Sequence, residues 1–411
     1  MKVLISGAGI TGSSLAFWLG KVGHNVTVVE RSTTLRTAGL QVDLRGQGIE
    51  VIRRMGLEQE VRRRSAPERG LRVVDKSGKQ RGFFPANKTE SNLQSFTSEY
   101  EIMRGDLCQL LHDAATKHRA RYIFGTMIER FGQTPTQVSV QFTNGEVDNF
   151  DLLIGADGQW SQTRRQMLGV SSPDRIFLVP GVYVAYYTVP IPIEAGEDYA
   201  ATLYLTEAKG VMTRRNRDDR LQVYIGGKST PDIFENVRRG DIASEKAVLK
   251  KTLRGIGCKT DEFLTYLDSA NDFYCERIGL VKLDSWSCDR VVLAGDAAYC
   301  PSVNTGMGTT SGIVGAYVLA GEIGRSCGER PTKEDIVSAL TAYECTFRPF
   351  MDEVQKGVLE DGGSLPSGKF GIAIFNMLIS VASFCNVNIA KWMIKENSVK
   401  SWTLPTYEDS M

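Results

Sequence analysis

The sequence predicts an α/β protein with two interleaved domains and a long C-terminal helix. Residues 1–30 hold an apolar strand, a glycine-rich turn, a helix and a second strand that ends at Glu30. Between residues 175 and 285, segments rich in β-branched and aromatic residues favour an antiparallel sheet. After residue 290 a buried parallel strand and two helices return, so the first domain is discontinuous.

The turn after the first strand carries Gly7, Gly9 and Gly12 in G-x-G-x-x-G spacing. Gly7 permits the tight turn, Gly9 lets the backbone approach a pyrophosphate, and Gly12 allows the helix to pack closely on the sheet. The N-terminus of that helix offers N–H groups and a positive dipole end to phosphate. Glu30 is placed to accept hydrogen bonds from a ribose. A tight turn without a ligand is the alternative, and the agreement of strand, helix and acid disfavours it.

A second glycine signal follows much later in the chain. Gly295 and Asp296 end the apolar strand 291–294, and Gly306 and Gly308 precede a further helix. Because the two signals occur in this order, they indicate a Rossmann-like domain that binds FAD.

The other elements follow from apolar spacing and turn residues such as Asn144-Gly145. Helices are predicted at 13–22, 47–55, from Arg104 onwards, 244–256, 261–269, 311–324 and 333–350. Strands are predicted at 3–6, 26–29, 71–75, 80–84, 122–124, 137–142, 152–154, 181–190, 201–206, 210–215 and 221–226. We assign 1–70, 100–174 and 286–360 to the FAD-binding domain, 71–99 and 175–285 to a substrate-binding sheet domain, and 361–411 to a C-terminal bridging helix and tail.

Composition argues against several classes of function. The chain has 411 residues with a net charge of +1, which gives no support for binding nucleic acid or an anionic membrane surface. Its eight cysteines form no C-x-x-C pair and it has three histidines, so neither a metal site nor a Ser-His-Asp triad is expected. The scattered thiols, and a first strand with no signal peptide before it, are expected of a cytoplasmic protein.

Residues 370–390 carry no charge over a length that would span a membrane. Asn376, Ser380 and Ser383 recur on one face of a helix in this stretch. We therefore expect an amphipathic helix packed across the two domains, and a membrane anchor is the weaker alternative.

Three motifs carry a resemblance to a known family: Gly7-x-Gly9-x-x-Gly12 with Glu30, Asp157-Gly158-x-x-Ser161-x-x-Arg164, and Gly295-Asp296-Ala-Ala. They resemble those of the FAD-dependent aromatic hydroxylases of the para-hydroxybenzoate hydroxylase type. Within that group the chain looks most like the monooxygenases that inactivate tetracyclines and their relatives in secondary metabolism. The resemblance extends over nearly the whole chain.

The resemblance implies a set of FAD contacts. Glu30 and Arg31 resemble contacts on the adenosine side of FAD, and Asp43 resembles one on the flavin side. Arg104 resembles an FAD-contacting arginine at the start of a helix, and Asp296 resembles the acid that contacts the ribityl chain.

The resemblance also implies contacts to the flavin carbonyl side and to NADPH. Gly306 and Gly308 would let the next helix N-terminus approach the flavin. Arg36 matches the place of an arginine implicated in NADPH contact, and Asp157-Gly158 resembles a motif proposed to serve both FAD and NADPH. The structural alternative is that Asp157 and Arg164 cap and pair at a helix start.

The chain departs from the family pattern at three places. Tyr299 stands where most relatives have histidine after Gly-Asp-Ala-Ala. Val303 stands where they have the proline beside the flavin C4a edge, and Val314-Gly315 replaces an acidic pair. The exchange at Val303 bears on oxygen activation and on the shape of the substrate pocket.

The expected activity is that of a single-component monooxygenase using FAD, O2 and NADPH or NADH. A flavin C4a-hydroperoxide would hydroxylate, epoxidise or Baeyer–Villiger-oxidise an apolar ring substrate of aromatic, polyketide or terpenoid type, in secondary metabolism. No side chain is assigned to catalysis with certainty, and the candidates for orienting the substrate are Tyr183, Tyr187, Arg214, Tyr224 and Asn304. The alternatives are a flavin oxidase, dehydrogenase or halogenase, and a flavin-binding protein without turnover. A halogenase is disfavoured because the tryptophans are isolated.

Overall fold

The computed structural model describes residues 1–37, 39, 41–86, 100–169, 171–328, 331–361, 368–384 and 402–407. Within these residues the strands are β1 (Lys2–Ser6), β2 (Asn25–Glu30), β3 (Gln41–Asp43), β4 (Gly70–Val74), β5 (Gln80–Pro85), β6 (Glu101–Met103), β7 (Arg121–Phe124), β8 (Ile128–Gln133), β9 (Val138–Phe142), β10 (Val147–Phe150), β11 (Leu152–Gly155), β12 (Ile176–Val189), β13 (Ala201–Thr206), β14 (Lys209–Arg217), β15 (Arg220–Lys228), β16 (Tyr274–Val281), β17 (Ser287–Cys288) and β18 (Val291–Leu293).

The helices in the same part of the chain are α1 (Ile10–Lys21), α2 (Gln47–Arg54), α3 (Glu58–Arg63), α4 (Arg104–Lys117), α5 (Gln162–Leu168), α6 (Ile242–Leu253), α7 (Thr260–Thr265), α8 (Asp296–Tyr299), α9 (Gly308–Ser326), α10 (Lys333–Gln355), α11 (Val358–Asp361) and α12 (Gly368–Phe384). A short 3-10 turn covers Val303–Thr305. The predicted α/β class is confirmed, while α1 and α9 each begin three residues earlier than predicted. At both starts glycines stand in the first turn, and the apolar periodicity on which the prediction rests begins only after them.

The first sheet runs in the order β17-β18-β11-β1-β2-β7 and is parallel except at β17. Strand β1 lies at its centre, with Ile5 opposite Val28 and Ile154. Val3 and Ile5 are buried in a core shared with α1 and α9, while Leu4 is buried against the sheet β10-β9-β8 on the other face. Burial on both faces explains why the strand is an unbroken apolar run.

The second sheet runs in the order β16-β12-β15-β14-β13-β4-β5. The prediction of an antiparallel sheet needs one correction, because β4 pairs with β13 in parallel. One face of this sheet packs on α6 and α7 through a core of its own that includes Tyr183, Tyr187 and Phe234. The residue limits predicted for the two domains stay a prediction.

Helix α12 packs on β5 and β13 of the second sheet. Gly82 of β5 allows α12 to approach the strand closely, because a Cβ at this position would lie only 2.9 Å from Ile379 Cγ2. The amide of Phe83 donates to the hydroxyl of Ser383, one of the three residues of the predicted polar stripe, at 3.0 Å. Residues 385–390 of the predicted helix lie outside the described residues. Within the described ranges no helix has the length and apolar character needed to cross a membrane.

Residues 402–407 pack on α9 and α10. Trp402 Nε1 donates to the carbonyl of Thr346 at 2.9 Å, and the Tyr407 hydroxyl donates to Glu322 Oε1 at 2.6 Å. Gly321 makes room for the Tyr407 ring, since a Cβ at Gly321 would lie 2.3 Å from that ring.

Replacing Tyr407 by alanine should destabilise the protein by about 3–5 kcal/mol, because it leaves a cavity and removes the hydrogen bond to the buried Glu322 Oε1. Urea unfolding measures the change. Tyr407→Phe is the matched control, for which the lost hydrogen bond alone predicts about 1–3 kcal/mol. Equal stability of wild type and Tyr407→Ala would contradict this packing.

Candidate functional site

The glycine turn between β1 and α1 contains glycines with two different roles, one structural and one that faces a ligand site. Gly7 has φ +105°, and a Cβ on it would lie 2.6 Å from the carbonyl oxygen of Ala156. A Cβ on Gly12 would lie 1.9 Å from the carbonyl oxygen of Gly7. At Gly9 the nearest described atom to such a Cβ is Arg104 Nη2, at 3.8 Å. The fold itself therefore requires Gly7 and Gly12, whereas Gly9 keeps open a cradle of the kind that a pyrophosphate needs.

A cavity of about 370 Å³ opens at this turn. It is lined by the turn, by the end of β2 and by the Asp157-Gly158 segment. Its arginines come from four separate parts of the chain and are Arg31, Arg36, Arg104, Arg165 and Arg239. This concentration of guanidinium groups beside a helix N-terminus suits an anionic ligand such as the pyrophosphate of FAD.

Glu30 ties the end of β2 to the glycine turn. Its Oε2 accepts a hydrogen bond from the Ala8 amide at 3.0 Å, and its Oε1 accepts one from the Ser32 amide at 3.0 Å. Each oxygen keeps a second lone pair, and the residue lines the cavity. The ribose contact of Glu30 stays a prediction.

Asp157 caps helix α5, as the structural alternative for this motif expects. Its Oδ2 accepts from the amides of Gln162 and Thr163 at 2.9 and 3.1 Å, and its Oδ1 accepts from the Ser161 hydroxyl at 2.5 Å. Ser161 in turn accepts from the Arg164 amide at 2.9 Å. Asp157 also lines the cavity, so its capping role holds the motif at the cavity wall.

Arg164 is fully buried and links the Asp157-Gly158 motif to the Gly295-Asp296 motif. Its guanidinium donates to the carbonyl oxygens of Gln159 at 2.7 Å and Ala297 at 2.9 Å, and to the carbonyl and carboxylate of Asp174. Ala297 follows Asp296 directly, so this side chain fixes α8 against the Asp157 segment.

Arg104 and the loop before β3 lie against each other at the cavity. Gly39 has φ +151°, and a Cβ there would lie 2.7 Å from Arg104 Cδ, so only glycine lets the loop pass so close. Arg104 Nη1 donates to the carbonyl of Arg36 at 3.4 Å, and the Arg36 guanidinium lies 5.2 Å from the centre of the Tyr274 ring. The structure thus brings both arginines to one rim.

The expected flavin-side residues surround the start of α9. Asp43 Oδ2 accepts from Arg45 Nε at 2.5 Å, and the Arg45 amide donates to Thr310 Oγ1 at 3.1 Å. Gly306 has φ +63°, and no described atom lies within 4 Å of a Cβ built on Gly308. The first amides of α9 lack a side-chain cap among the described residues, which leaves them for a polar ligand.

Asp296 begins α8 and is accessible to solvent. Desolvation by the neighbouring protein raises the pKa of its carboxyl to about 6, and the charge of Arg104 opposes this rise. Gly295 before it has φ +62°, and a Cβ there would lie 2.3 Å from Thr11 Oγ1. The Gly295-Asp296 motif therefore packs directly on the first turn of α1.

Four of the candidate substrate residues lie away from this cavity. Tyr183 and Tyr187 are buried in the core under α6 and α7, where burial raises the pKa of both phenols. Arg214 and Tyr224 are held in a buried polar cluster with Glu68 and Glu101. The side chain of the fifth candidate, Asn304, lies outside the described part of the structure, and its neighbour Val303 is 53% exposed.

Two of the departures from the family pattern compensate each other. The Tyr299 hydroxyl lies 3.1 Å from that of Tyr343, and its ring packs on Trp286 and Phe347. A Cβ on Gly315 would lie 2.0 Å from the Tyr299 hydroxyl. The larger side chain at 299 thus requires glycine at 315.

Sequence reasoning missed a group at the cavity rim. Trp160 Nε1 donates to Glu276 Oε1 at 3.0 Å, and Arg239 donates to both oxygens of Glu276 at 3.1 Å. Arg239 also lies 4.4 Å from the centre of the Trp160 ring. Trp160 lies within the Asp157 motif, so its position at the cavity could have been predicted from the sequence. Arg239 and Glu276 lie far away in the sequence, in a loop and on β16, and only the fold brings them to the cavity.

Comparison with known proteins agrees with this geometry. The family model described as "FAD binding domain" matches residues 1–339. The FAD-dependent monooxygenase asL4 of Sarocladium schorii is 47% identical over 425 residues, covering 100% of this chain and 98% of that protein. The flavin-dependent monooxygenase eupH of Phoma sp is 41% identical, covering 85% of this chain and 84% of that protein.

Among solved structures, the tetracycline destructase Tet(55) superposes with a TM-score of 0.78 at 29% identity, covering 99% of this chain and 98% of that one. Klebsiella pneumoniae HpxO, complexed with FAD and uric acid, superposes with a TM-score of 0.70 at 20% identity, covering 97% and 96% of the two chains. The second likeness concerns the fold alone.

Proposed function

We propose that this chain, which belongs to the FAD binding domain family and is an FAD-dependent monooxygenase, oxidises an apolar ring substrate. In this proposal it consumes NADPH or NADH together with O2. The substrate would be an aromatic, polyketide or terpenoid-type small molecule of secondary metabolism. The product would arise by hydroxylation, epoxidation or Baeyer–Villiger oxidation. A cytoplasmic location belongs to the same proposal. The observation that carries it is the cradle at Gly9, open toward a cavity lined by five arginines.

In this proposal the protein's own residues divide the binding of FAD among them. The amides of α1 and Arg104 hold the pyrophosphate, Glu30 and Arg31 hold the adenosine side, and Asp43 and Asp296 lie toward the flavin and ribityl chain. Gly306 and Gly308 let the N-terminus of α9 face the flavin carbonyl side. When bound, FAD would accept a hydride from the nicotinamide and activate O2 for transfer of one oxygen atom.

Arg36→Ala should slow flavin reduction by NADPH and leave FAD bound. The Arg36 side chain is exposed at the cavity rim, and loss of one charge-assisted hydrogen bond to a phosphate weakens NADPH binding by about tenfold to hundredfold. Anaerobic stopped-flow reduction measures this effect. Arg217→Ala, which removes an exposed arginine at the end of β14, is the matched control. A reduction rate for Arg36→Ala equal to that of the control would remove Arg36 from this role.

A flavin oxidase or dehydrogenase on the same scaffold is the alternative against which the monooxygenase assignment is tested. Val303, which is 53% exposed and precedes the glycines at the start of α9, stands where the resemblance implies a proline. Dithionite reduction of the holoenzyme followed by mixing with O2 separates the two activities.

A further inference from the structure

A buried cluster joins the second sheet to the two-stranded ribbon β3–β6. Arg214 of β14 pairs through Nε with Glu68 Oε2 at 2.8 Å and through Nη2 with Glu101 Oε1 of β6. The three residues are 8%, 6% and 5% exposed, respectively. Two carboxylates therefore share one guanidinium in a place that water barely reaches.

The same cluster is hydrogen-bonded to β3. The Gln41 amide donates to the Tyr224 hydroxyl at 3.1 Å, and Gln41 Nε2 donates to Glu68 Oε2 at 3.3 Å. In the ribbon, Asp43 lies opposite Glu101. Residues directly opposite each other in an antiparallel pair point to the same face, so Asp43 and Glu101 face the cluster together.

The ribbon also carries two of the proposed FAD contacts. Asp43 ends β3, and β6 runs without a break into α4, which begins at Arg104. A shift of the ribbon relative to the sheet would therefore move both contacts at once.

The charges of the cluster do not balance if every acid is ionised. Asp43 is paired with Arg45, so Glu68 and Glu101 together face Arg214 and leave one negative charge in excess. Among the described residues, Tyr224 also faces the cluster, and burial raises its pKa to about 12, so it stays neutral. An unpaired buried charge is costly, so the pair of acids retains a proton.

The direction of the pKa shifts agrees with this count. Burial raises the pKa of Glu101 from 4.5 to about 7; Arg214 opposes the rise, and the charges of Glu68 and Asp43 add to it. Burial also raises the pKa of Glu68. Among the described residues, Glu101 Oε2 has no hydrogen-bond partner. Because Glu101 has a higher pKa in the folded protein than in the unfolded chain, its protonation stabilises the folded state. This stabilisation is complete below pH 4.5 and is lost as the pH rises through about 7.

We propose that Glu68 and Glu101 hold one proton between them and that Glu101 is thereby a positioning residue for the FAD-contacting ribbon. With the proton in place the cluster is neutral and the ribbon lies against the sheet. Without it, the excess charge weakens the contact, and Asp43 and Arg104 lose their alignment on FAD. This inference rests on the proposed FAD contacts of those two residues.

The test is the dissociation constant of FAD as a function of pH. For wild type we expect it to rise by roughly tenfold between about pH 6 and about pH 8.5, which corresponds to one unit of pKa shift on FAD binding. Glu101→Gln keeps the shape of the side chain and cannot ionise, so it should lose this tenfold rise and keep only the change that Asp296 causes near pH 6. Glu322→Gln is the control, because Glu322 is equally buried but lies on α9 and pairs with Arg325. It should keep the dependence of wild type.

A dissociation constant that is flat in wild type, or that rises equally in Glu101→Gln, would overturn the inference. If Glu101→Gln does not fold, Glu68→Gln removes the other acid and should flatten the curve in the same way. Infrared spectra of wild type should show a carboxylic acid band that disappears across the same pH range and is absent in the variant. A wild type that binds no FAD would instead overturn the proposed function, and the infrared band would still report the shared proton.

Discussion

Gly9→Val should give a folded protein that is purified without FAD. The nearest described atom to a Cβ at this position lies 3.8 Å away, so the protein itself can accommodate a side chain. The valine would fill the cradle and keep the pyrophosphate from the amides of α1. Each charge-assisted hydrogen bond lost costs about 1.5–3 kcal/mol, so loss of two or more weakens FAD binding by at least roughly 100-fold.

Two matched substitutions isolate this effect. Gly132→Val adds the same side chain to β8, where nothing described lies within 4 Å, and should keep both fold and flavin. Gly12→Val places a Cβ 1.9 Å from the Gly7 carbonyl oxygen and should prevent folding. Released flavin per protein, together with circular dichroism, distinguishes the three outcomes. Stoichiometric FAD in Gly9→Val would show that the cofactor does not lie in this cradle.

Arg164→Met should destabilise the protein by about 3–5 kcal/mol and reduce FAD retention. The change leaves the buried carbonyls of Gln159 and Ala297 without their donor and releases α8, which begins at Asp296. Arg165→Met is the control for stability alone, because its side chain lines the cavity but is 50% exposed, and its loss should cost about 1 kcal/mol or less. Urea unfolding of the two variants gives the comparison. Similar free energies of unfolding for both would mean that Arg164 does not join the motifs.

The parts of the fold that depend on local spacing were predictable from the sequence. Gly7, Gly9 and Gly12 are separated by a few residues, so their turn, the strand before it and the helix after it follow from local backbone rules. The same holds for the capped helix after Asp157, whose carboxylate reaches amides only five and six residues later.

The parts that depend on distant pairs were not predictable. The parallel pairing of β4 with β13 joins segments more than a hundred residues apart, and no local pattern encodes it. Arg214 and Tyr224 appeared available to a substrate in the sequence, yet Glu68, Glu101 and Gln41 occupy them in the fold. Tyr299 and Gly315 likewise make sense together only when their contact is seen.

The role of the second sheet in binding substrate stays a proposal. The face that packs on α6 and α7 buries Tyr183 and Tyr187, so we propose that a substrate would lie on the opposite face, which carries Tyr186. Alternation along β12 accounts for this division, because neighbouring residues of a strand point to opposite faces.

The reaction of the reduced holoenzyme with O2 tests the central claim most directly. The enzyme is reduced anaerobically with dithionite, mixed with O2 and followed by rapid-scanning absorbance in the presence of aromatic and polyketide ligands. A monooxygenase should show a transient flavin–oxygen absorbance before the oxidised spectrum returns, with one ligand accelerating its decay and gaining an ¹⁸O atom from ¹⁸O2. Direct return to oxidised flavin with every ligand, and full recovery of the consumed O2 as H2O2, would contradict the account and favour the oxidase.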